Sequence, residues 1–140
     1  MECRMISQFL IAAPSSGSGK TTVSRGLMAL LIKKGLKVQP FKCGPDYIDT
    51  KYHTAVCRRP SINLDTFMAS AGHVKELYAR YATGADACIT EGMMGMYDGY
   101  DRDRGSSARW RISSPRCATS GPKYRLTRRY AAVPSVRSST

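Results

Sequence analysis

A loop rich in glycine and serine, followed by lysine and threonine, contains the residues whose types and spacing could do chemistry. Residues 13–22 read Ala-Pro-Ser-Ser-Gly-Ser-Gly-Lys-Thr-Thr, between a short apolar run and a longer amphipathic one. At such a strand-to-helix turn, backbone N–H groups and the helix dipole can hold a polyphosphate. Lys20 would reach the terminal phosphates, and the Thr21 hydroxyl would bind Mg²⁺. The predicted nucleotide-binding residues are Ser16, Gly17, Ser18, Gly19, Lys20, Thr21 and Thr22.

Pro14 is the one departure from the usual spacing of such loops. It stands where the pattern G-x-x-x-x-G-K-[ST] has its first glycine. Because proline fixes a negative φ and has no N–H, the loop must begin in a conformation that needs neither a positive φ nor a backbone donor. The alternative is a Gly/Ser-rich connector without a ligand. Lysine and threonine at the predicted helix start favour the nucleotide site.

Two further loops follow predicted strands and carry carboxylates. The first loop, Cys-Gly-Pro-Asp-Tyr-Ile-Asp at residues 43–49, leaves the second predicted strand. The second is the glycine-rich loop at residues 92–99, which follows Glu91 at the end of the third predicted strand. Ligands of open α/β sheets bind beyond the carboxyl ends of the strands, so both loops are expected near the phosphate loop. An acid after a strand is typical of a second Mg²⁺ ligand in phosphoryl-transfer proteins. The alternative for the first loop is an Asx turn with solvated aspartates. For Met93 and Met94 we expect simple core packing, and the alternative is contact with a large apolar ligand.

The elements that must position these residues follow from the apolar pattern. Strands are predicted at 9–12, 36–42 and 85–91, and a helix from 19 to about 34 with Gly35 at its C-cap. A strand, a helix and a second strand in this order favour a right-handed parallel crossover. The sequence therefore predicts an α/β fold with a parallel sheet and flanking helices. The residues at the spacing of one face of the first helix are Val23, Leu27, Leu30 and Leu31.

The pattern is weaker between the second and third predicted strands. Residues 61–65 are expected to start a short helix. A further helix, ended by Gly84, is predicted around Tyr78, which we expect to lie in the core. His53 and His73 are single histidines without metal-ligand spacing, so a structural or surface role is expected for both.

Charge and cysteine content limit the classes of function. The 140 residues suggest one domain, with a net charge of +12. Residues 109–140 contain eight basic residues and no acid, which leaves 14 basic and 10 acidic residues in 1–108. The five cysteines show no C-x-x-C spacing, so neither a disulfide framework nor a zinc site is expected. With no signal peptide or membrane-length apolar run, we expect a cytoplasmic protein that does not contact a membrane.

Four stretches in combination are more specific than any one of them. They read Ala-Pro-Ser-Ser-Gly-Ser-Gly-Lys-Thr-Thr at 13–22, Gln-Pro-Phe-Lys-Cys-Gly-Pro-Asp-Tyr-Ile-Asp at 39–49, Asn-Leu-Asp at 63–65 and Glu-Gly-Met-Met-Gly-Met-Tyr-Asp-Gly at 91–99. Together they resemble the cobyrinate a,c-diamide synthases, over roughly residues 6–108, at the start of that family's synthetase domain. The resemblance implies a P-loop NTPase-like sheet. Ser15 stands where partition ATPases of the same superfamily carry a lysine, which disfavours them.

The resemblance implies an ATP- and Mg²⁺-dependent ligase of cobalamin biosynthesis. It would amidate the a and c carboxylates of cobyrinic acid, a corrin, through an acyl phosphate, with ammonia derived from glutamine. Positive charge would come from Lys20 and Lys42. The predicted Mg²⁺ ligands are Thr21, Asp46 and Glu91. The predicted catalytic residues are Lys42, Asp46, Asp49 and Asp98, and the predicted substrate contacts are Tyr47 and Ile48.

The last part of the chain departs from the family pattern. The resemblance stops near Ala108, and residues 109–140 are basic, rich in Ser, Thr and Pro, and expected to be disordered. We interpret residues 1–108 as the first part of the synthetase domain and the tail as a frameshift-like replacement. The chain is then expected to be an inactive, truncated fragment without the glutaminase domain, in which the strand at 85–91 has unpaired outer edges. The alternative is a P-loop ATPase switch, or a protein whose basic tail binds nucleic acid, which we consider less consistent with the acidic loops.

Overall fold

Parallel strands with helices between them make up the part of the chain that can be described. The computed structural model describes residues 6–95 and, as backbone only, residues 126–132. The strands pair in parallel in the order β3-β2-β4-β1-β5, which confirms the predicted α/β fold. The elements are β1 (Ile6–Ala12), α1 (Lys20–Lys33), β2 (Val38–Cys43), α2 (Ile48–Cys57), β3 (Ile62–Leu64), α3 (Ala71–Ala82), β4 (Ala87–Glu91) and β5 (Leu126–Ala132).

Strand β4 lies in the middle of the sheet. It pairs with β1 on one side and β2 on the other, and each of its five residues is buried. The expectation of unpaired outer edges at this strand is therefore wrong. The crossover through α1 leaves a gap one strand wide between β1 and β2, and β4 fills it. The register places Glu91 beside both Ile11 and Lys42, so the carboxyl ends of three strands meet there.

Strand β5 pairs with the other edge of β1. Its register runs from Ile6↔Leu126 to Ala12↔Ala132. The tail predicted to be disordered, residues 109–140, includes these seven residues, which form a strand instead. An open edge of β1 would leave backbone N–H and C=O groups unpaired, and a parallel neighbour satisfies them. The rest of the tail, with the proposed boundary at residue 108, lies outside the described residues, as does Asp98.

Two local predictions need correction between β2 and α3. Residues 62–64 form strand β3 rather than the start of a helix, because pairing with β2 buries Leu64 completely. Helix α2 was not predicted at all. Its buried residues are His53 and Cys57, so it lacks the apolar period by which a helix is recognised.

The core lies on both faces of the sheet. Consecutive residues Cys88 and Ile89 of β4 belong to two different apolar clusters, since side chains alternate along a strand. One cluster packs α3 on the sheet, where the Tyr78 ring stacks on Phe41 at 4.4 Å, which confirms the core position predicted for Tyr78. The other cluster receives Met28 of α1 and Cys57 of α2.

Helices α1 and α3 end where the glycines predicted. Gly35 and Gly84 have φ values of 80° and 75°, the left-handed region that favours glycine after a helix. The predicted face of α1 is correct in part: Leu27 and Leu31 pack against the core beside the buried Met28, whereas Val23 and Leu30 are about half exposed. Within the described ranges, no helix is both long enough and apolar enough to cross a membrane.

The cysteines in the described ranges are unpaired, as their spacing predicted. Cys43, Cys57 and Cys88 are free and buried. Burial raises the pKa of the Cys43 and Cys88 thiols to about 12, so neither forms a thiolate near neutral pH. They therefore act as small apolar groups of the core.

Candidate functional site

A cavity of about 370 Å³ opens at the carboxyl ends of β1, β2 and β4. Most of the described residues that were predicted to form a site line it. Thr22 is exposed outside the lining, and Tyr47 and Ile48 project into solvent beside it, 73% and 68% exposed. The lining residues are Ser16, Gly17, Ser18, Gly19, Lys20, Thr21, Lys42, Asp46, Asp49, Glu91, Met93 and Met94.

The loop before α1 has the geometry of an anion-binding turn. Gly17 and Gly19 both have positive φ, 73° and 81°, which other residues rarely adopt. Gly19 caps α1 without a side-chain hydrogen bond, so the first N–H groups of the helix keep their capacity for a ligand. The Lys20 ammonium donates to the carbonyl oxygen of Ser15 at 3.2 Å and is almost fully buried within the loop. The loop is thus shaped for an anion and has a cation at its centre.

Glu91 is the centre of a buried hydrogen-bond network. Its Oε1 accepts hydrogen bonds from the Thr21 hydroxyl at 2.7 Å and from the Lys42 ammonium at 3.0 Å. Its Oε2 lies 2.7 Å from Nε2 of His53. The network therefore joins the start of α1 to the ends of β2 and β4 and to the middle of α2.

Lys42 neutralises the acidic groups around it. Its ammonium lies 2.7 Å from Asp49, 3.0 Å from Glu91 and 3.8 Å from Asp46. Burial alone lowers the pKa of Lys42, but the hydrogen bonds and charges of Asp49 and Glu91 outweigh it and raise the pKa. For Glu91, which is an acid, burial alone raises the pKa. The hydrogen bonds of His53 and Thr21 and the charge of Lys42 outweigh burial and lower the pKa to about 2. Both groups are therefore charged at neutral pH.

Asp46 serves the fold and the site at once. Its Oδ1 accepts the N–H groups of Ile48 and Asp49 at 2.9 and 3.0 Å, which forms the Asx turn that starts α2. Burial raises the pKa of Asp46, but these two N–H groups and the charge of Lys42 outweigh it and lower the pKa. The Asx turn considered for this aspartate is therefore present, but the carboxylate is only 27% exposed and lines the cavity rather than being fully solvated.

The oxygen donors around the cavity fit a hard cation that is shared with a phosphate. Among the described residues, no group of three or more His, Cys, Asp and Glu side chains is arranged to hold a metal alone. Mg²⁺ is usually held by one or two protein oxygens together with substrate phosphates and water, so a closed protein cage is not required. Thr21 and Glu91 meet at the loop that would hold those phosphates, and Asp46 lines the same cavity.

His53 is the member of this network that sequence reasoning missed. The imidazole of His53 is fully buried and lies in α2, a helix without an apolar period. Its partner Glu91 comes 38 residues later in the chain. No local signal could connect the two residues. His73, in contrast, is exposed at the start of α3, where its backbone N–H donates to Ser70.

The methionines after β4 differ from the core packing expected for them. Met93 is half-buried, and its Sδ packs so closely on Gly44 that a Cβ there would overlap it. Met94 is 54% exposed and has a positive φ of 51°. Both line the cavity, so the prediction of core packing is wrong for Met94.

Stability should fall on acidification because of Glu91. The folded-state pKa of about 2 lies below the ordinary value of 4.5, so the stabilisation is fully present above pH 4.5 and is lost as the pH falls towards 2. At 1.36 kcal/mol per pKa unit, the loss is about 3 kcal/mol, and Asp46 contributes in the same direction. Urea unfolding between pH 7 and pH 2 in metal-free buffer measures it. A Glu91→Gln variant should lack the Glu91 part, and parallel pH curves for the two proteins would contradict the assignment.

Comparison of the sequence with known proteins identifies the family of this chain. Residues 9–102 match the CbiA family model, described as CobQ/CobB/MinD/ParA nucleotide binding domain. The chain is 52% identical over 105 residues to a cobyrinate a,c-diamide synthase of Picrophilus torridus, over 74% of this chain and 24% of that protein. It is 50% identical over 94 residues to a hydrogenobyrinate a,c-diamide synthase of Streptomyces coelicolor, over 67% and 19%.

A third relative covers a similar part of the chain. The cobyrinate a,c-diamide synthase of Caldanaerobacter subterraneus subsp. tengcongensis is 53% identical over 107 residues, 76% of this chain and 23% of that protein. The chain thus spans about a quarter of the length of these relatives. The matched family segment contains the phosphate loop, both acidic loops and the elements from Phe9 of β1 to the end of β4. Because the family model covers more than half of the chain, the chain belongs to the CobQ/CobB/MinD/ParA nucleotide binding domain family.

Proposed function

We propose that this chain is the nucleotide-binding part of an ATP- and Mg²⁺-dependent amidoligase that amidates the a and c carboxylates of cobyrinic acid in cobalamin biosynthesis. The observation that carries the proposal is the contact between Thr21, Glu91 and Lys42 at the mouth of the phosphate loop. The names of the relatives that are about 50% identical supply the substrate class.

The phosphates of ATP would lie on the loop at residues 16–21. The N–H groups at the start of α1 would bind the phosphate oxygens, and Lys20 would leave the Ser15 carbonyl to pair with the terminal phosphates. Mg²⁺, when bound, would neutralise phosphate charge and polarise the γ-phosphate. Thr21 and Glu91 are the residues that would hold it, with Asp46 as a further oxygen ligand.

Amidation would then take two displacements. A carboxylate oxygen of cobyrinic acid forms a bond to the γ-phosphorus as the bond to ADP breaks, which yields an acyl phosphate. Ammonia, supplied free or from glutamine, forms the C–N bond, phosphate leaves, and the nitrogen loses a proton. Lys42, which already faces Asp49 and Glu91, would stabilise the negative charge that develops on the transferred phosphoryl group.

The rim of the cavity suits a large, partly apolar substrate. Tyr47, Ile48 and Met94 are all more than half exposed beside the charged lining. Exposed apolar side chains next to a cavity are typical of a ligand contact. We assign Tyr47 and Ile48 to the corrin, and we keep Asp49 and Asp98 as candidates for handling its activated carboxylate.

A chimera tests the proposal without depending on the remainder of this chain. Residues 9–102 replace the matching segment of the Picrophilus torridus relative, and the purified protein receives Mg²⁺-ATP, ammonium and cobyrinic acid. We expect diamide formation, with ADP release that requires cobyrinic acid, and we expect both to disappear in the same chimera with Lys20→Ala.

The same assay separates the alternative function. A folded chimera that binds ATP but forms no diamide would contradict the amidoligase. ATP hydrolysis by this chain that is indifferent to cobyrinic acid and ammonium would instead favour a P-loop ATPase switch.

A further inference from the structure

We infer that His53 is a positioning residue, which fixes the orientation of the Glu91 carboxylate at the phosphate loop. The inference rests on the proposed function only where it concerns Mg²⁺. The imidazole is fully buried, and its Nε2 lies 2.7 Å from Oε2 of Glu91. The opposite oxygen, Oε1, receives Thr21 and Lys42. The contact with His53 therefore holds the carboxylate with one oxygen towards the loop and the other towards α2.

The carboxylate needs such a partner because its terminal torsion is soft. Rotation about the last bond of a glutamate side chain has broad minima, so bonds to one oxygen alone leave the plane of the group poorly defined. Thr21 and Lys42 both bond Oε1. The hydrogen bond from His53 to Oε2 fixes the second point and hence the plane.

His53 is itself oriented from the other side. A carboxylate can only accept, so Nε2 must carry the hydrogen of this bond. Nδ1 faces the Ser61 hydroxyl at 3.4 Å, and the Ser61 N–H donates to Thr54 on the next position of α2 at 3.0 Å. Gln39 of β2 donates to the carbonyl of Pro60 at 2.9 Å, which ties this segment to the sheet. The imidazole is thus placed by α2 and by the segment that precedes β3.

The consequence for the proposed function is selective. Residues that orient a metal ligand typically change metal affinity 10- to 100-fold when they are removed. The phosphate loop, in contrast, is joined to these two side chains by a single hydrogen bond within the described part of the chain, from Thr21 to Glu91. Loss of His53 should therefore weaken the Mg²⁺-dependent part of ATP binding and spare the rest.

Mg²⁺ titrations at fixed ATP test this on the whole 140-residue chain. For His53→Ala, the Mg²⁺ concentration for half-maximal ATP binding should rise about 10- to 100-fold, with metal-free ATP binding unchanged within about twofold. His53→Gln, whose side-chain N–H reaches the same place, should recover most of the difference. Cys57→Ala is the matched control, because Cys57 is buried one turn later on α2 and lies in the apolar cluster. It should keep the Mg²⁺ dependence of the parent.

Two results would overturn the inference. One is an equal loss of ATP binding with and without Mg²⁺ in His53→Ala; the other is a shift as large in Cys57→Ala.

A nucleotide-free measurement separates this inference from the proposed function. In a double-mutant cycle of His53→Ala and Glu91→Gln, the unfolding equilibrium constants should depart from additivity by about fivefold or more. Additive values refute the positioning role. Strong coupling in a chain without Mg²⁺-dependent ATP binding upholds it and refutes the nucleotide site instead.

Discussion

Replacement of Lys20 by alanine is expected to weaken ATP binding on the order of 100-fold. Hydrogen bonds between charged groups contribute about 1.5–3 kcal/mol each, and 1.4 kcal/mol corresponds to a factor of ten in affinity. Lys20 is almost fully buried in the loop, so water cannot replace its ammonium easily. Isothermal titration calorimetry with Mg²⁺-ATP measures the change.

Lys33→Ala is the matched control for that substitution. Lys33 lies at the other end of α1 and is exposed, so its removal tests the loss of a positive charge from the same helix. Its ATP affinity should remain within about twofold of the parent, since surface substitutions change free energies by no more than about 0.5 kcal/mol. If the Lys20→Ala protein is folded by circular dichroism and binds ATP like the parent, the assignment of the phosphate site is wrong.

Lys42→Met is expected to destabilise the fold by roughly 3–5 kcal/mol. The Lys42 side chain is 3% exposed and neutralises Glu91 and Asp49, and its loss leaves the buried Glu91 carboxylate and the partly exposed Asp49 carboxylate without their cation. Since domains are stable by only about 5–15 kcal/mol, a large share of the stability depends on this side chain. Urea unfolding in metal-free buffer at neutral pH measures the change.

A second substitution tests whether the loss of charge neutralisation causes this destabilisation. Adding Glu91→Gln removes one of the unneutralised charges and keeps one acceptor oxygen, which can still accept the hydrogen bond of the Thr21 hydroxyl. The double variant should therefore be more stable than Lys42→Met alone. The control is Lys37→Met, an exposed lysine just before β2, which should change stability by no more than about 0.5 kcal/mol. A double variant less stable than the single one would show that charge neutralisation is not the role of Lys42.

The parts of the site that depend on local sequence could be predicted. The loop at residues 16–21 needs only glycine, lysine and threonine at fixed spacing before a helix, and the structure has that arrangement. Glu91 was predicted because it ends an apolar strand, and Asp46 because it follows another. In each case the residue and its structural context lie within a few positions of each other.

The parts of the fold and site that depend on packing between distant elements could not be predicted from the sequence. Helix α2 buries a histidine and a cysteine rather than an apolar stripe, so neither the helix nor the role of His53 had a signal. Strand β3 has three residues, too few for a period, and its partner β2 decides its conformation. The central place of β4 follows from the order of the sheet, which no local pattern contains.

The central position of β4 also has a consequence for the order of folding. Strands β1 and β2 do not pair with each other, because each pairs with β4 instead. Ser7 meets Ala87, 80 positions later, so a long chain loop must close before the middle of the sheet exists. Such closure has an entropic cost that grows with the logarithm of loop length, and contacts of this kind slow folding. A nascent chain that has not yet reached residue 91 would therefore hold a complete phosphate loop on a strand without its inner neighbour.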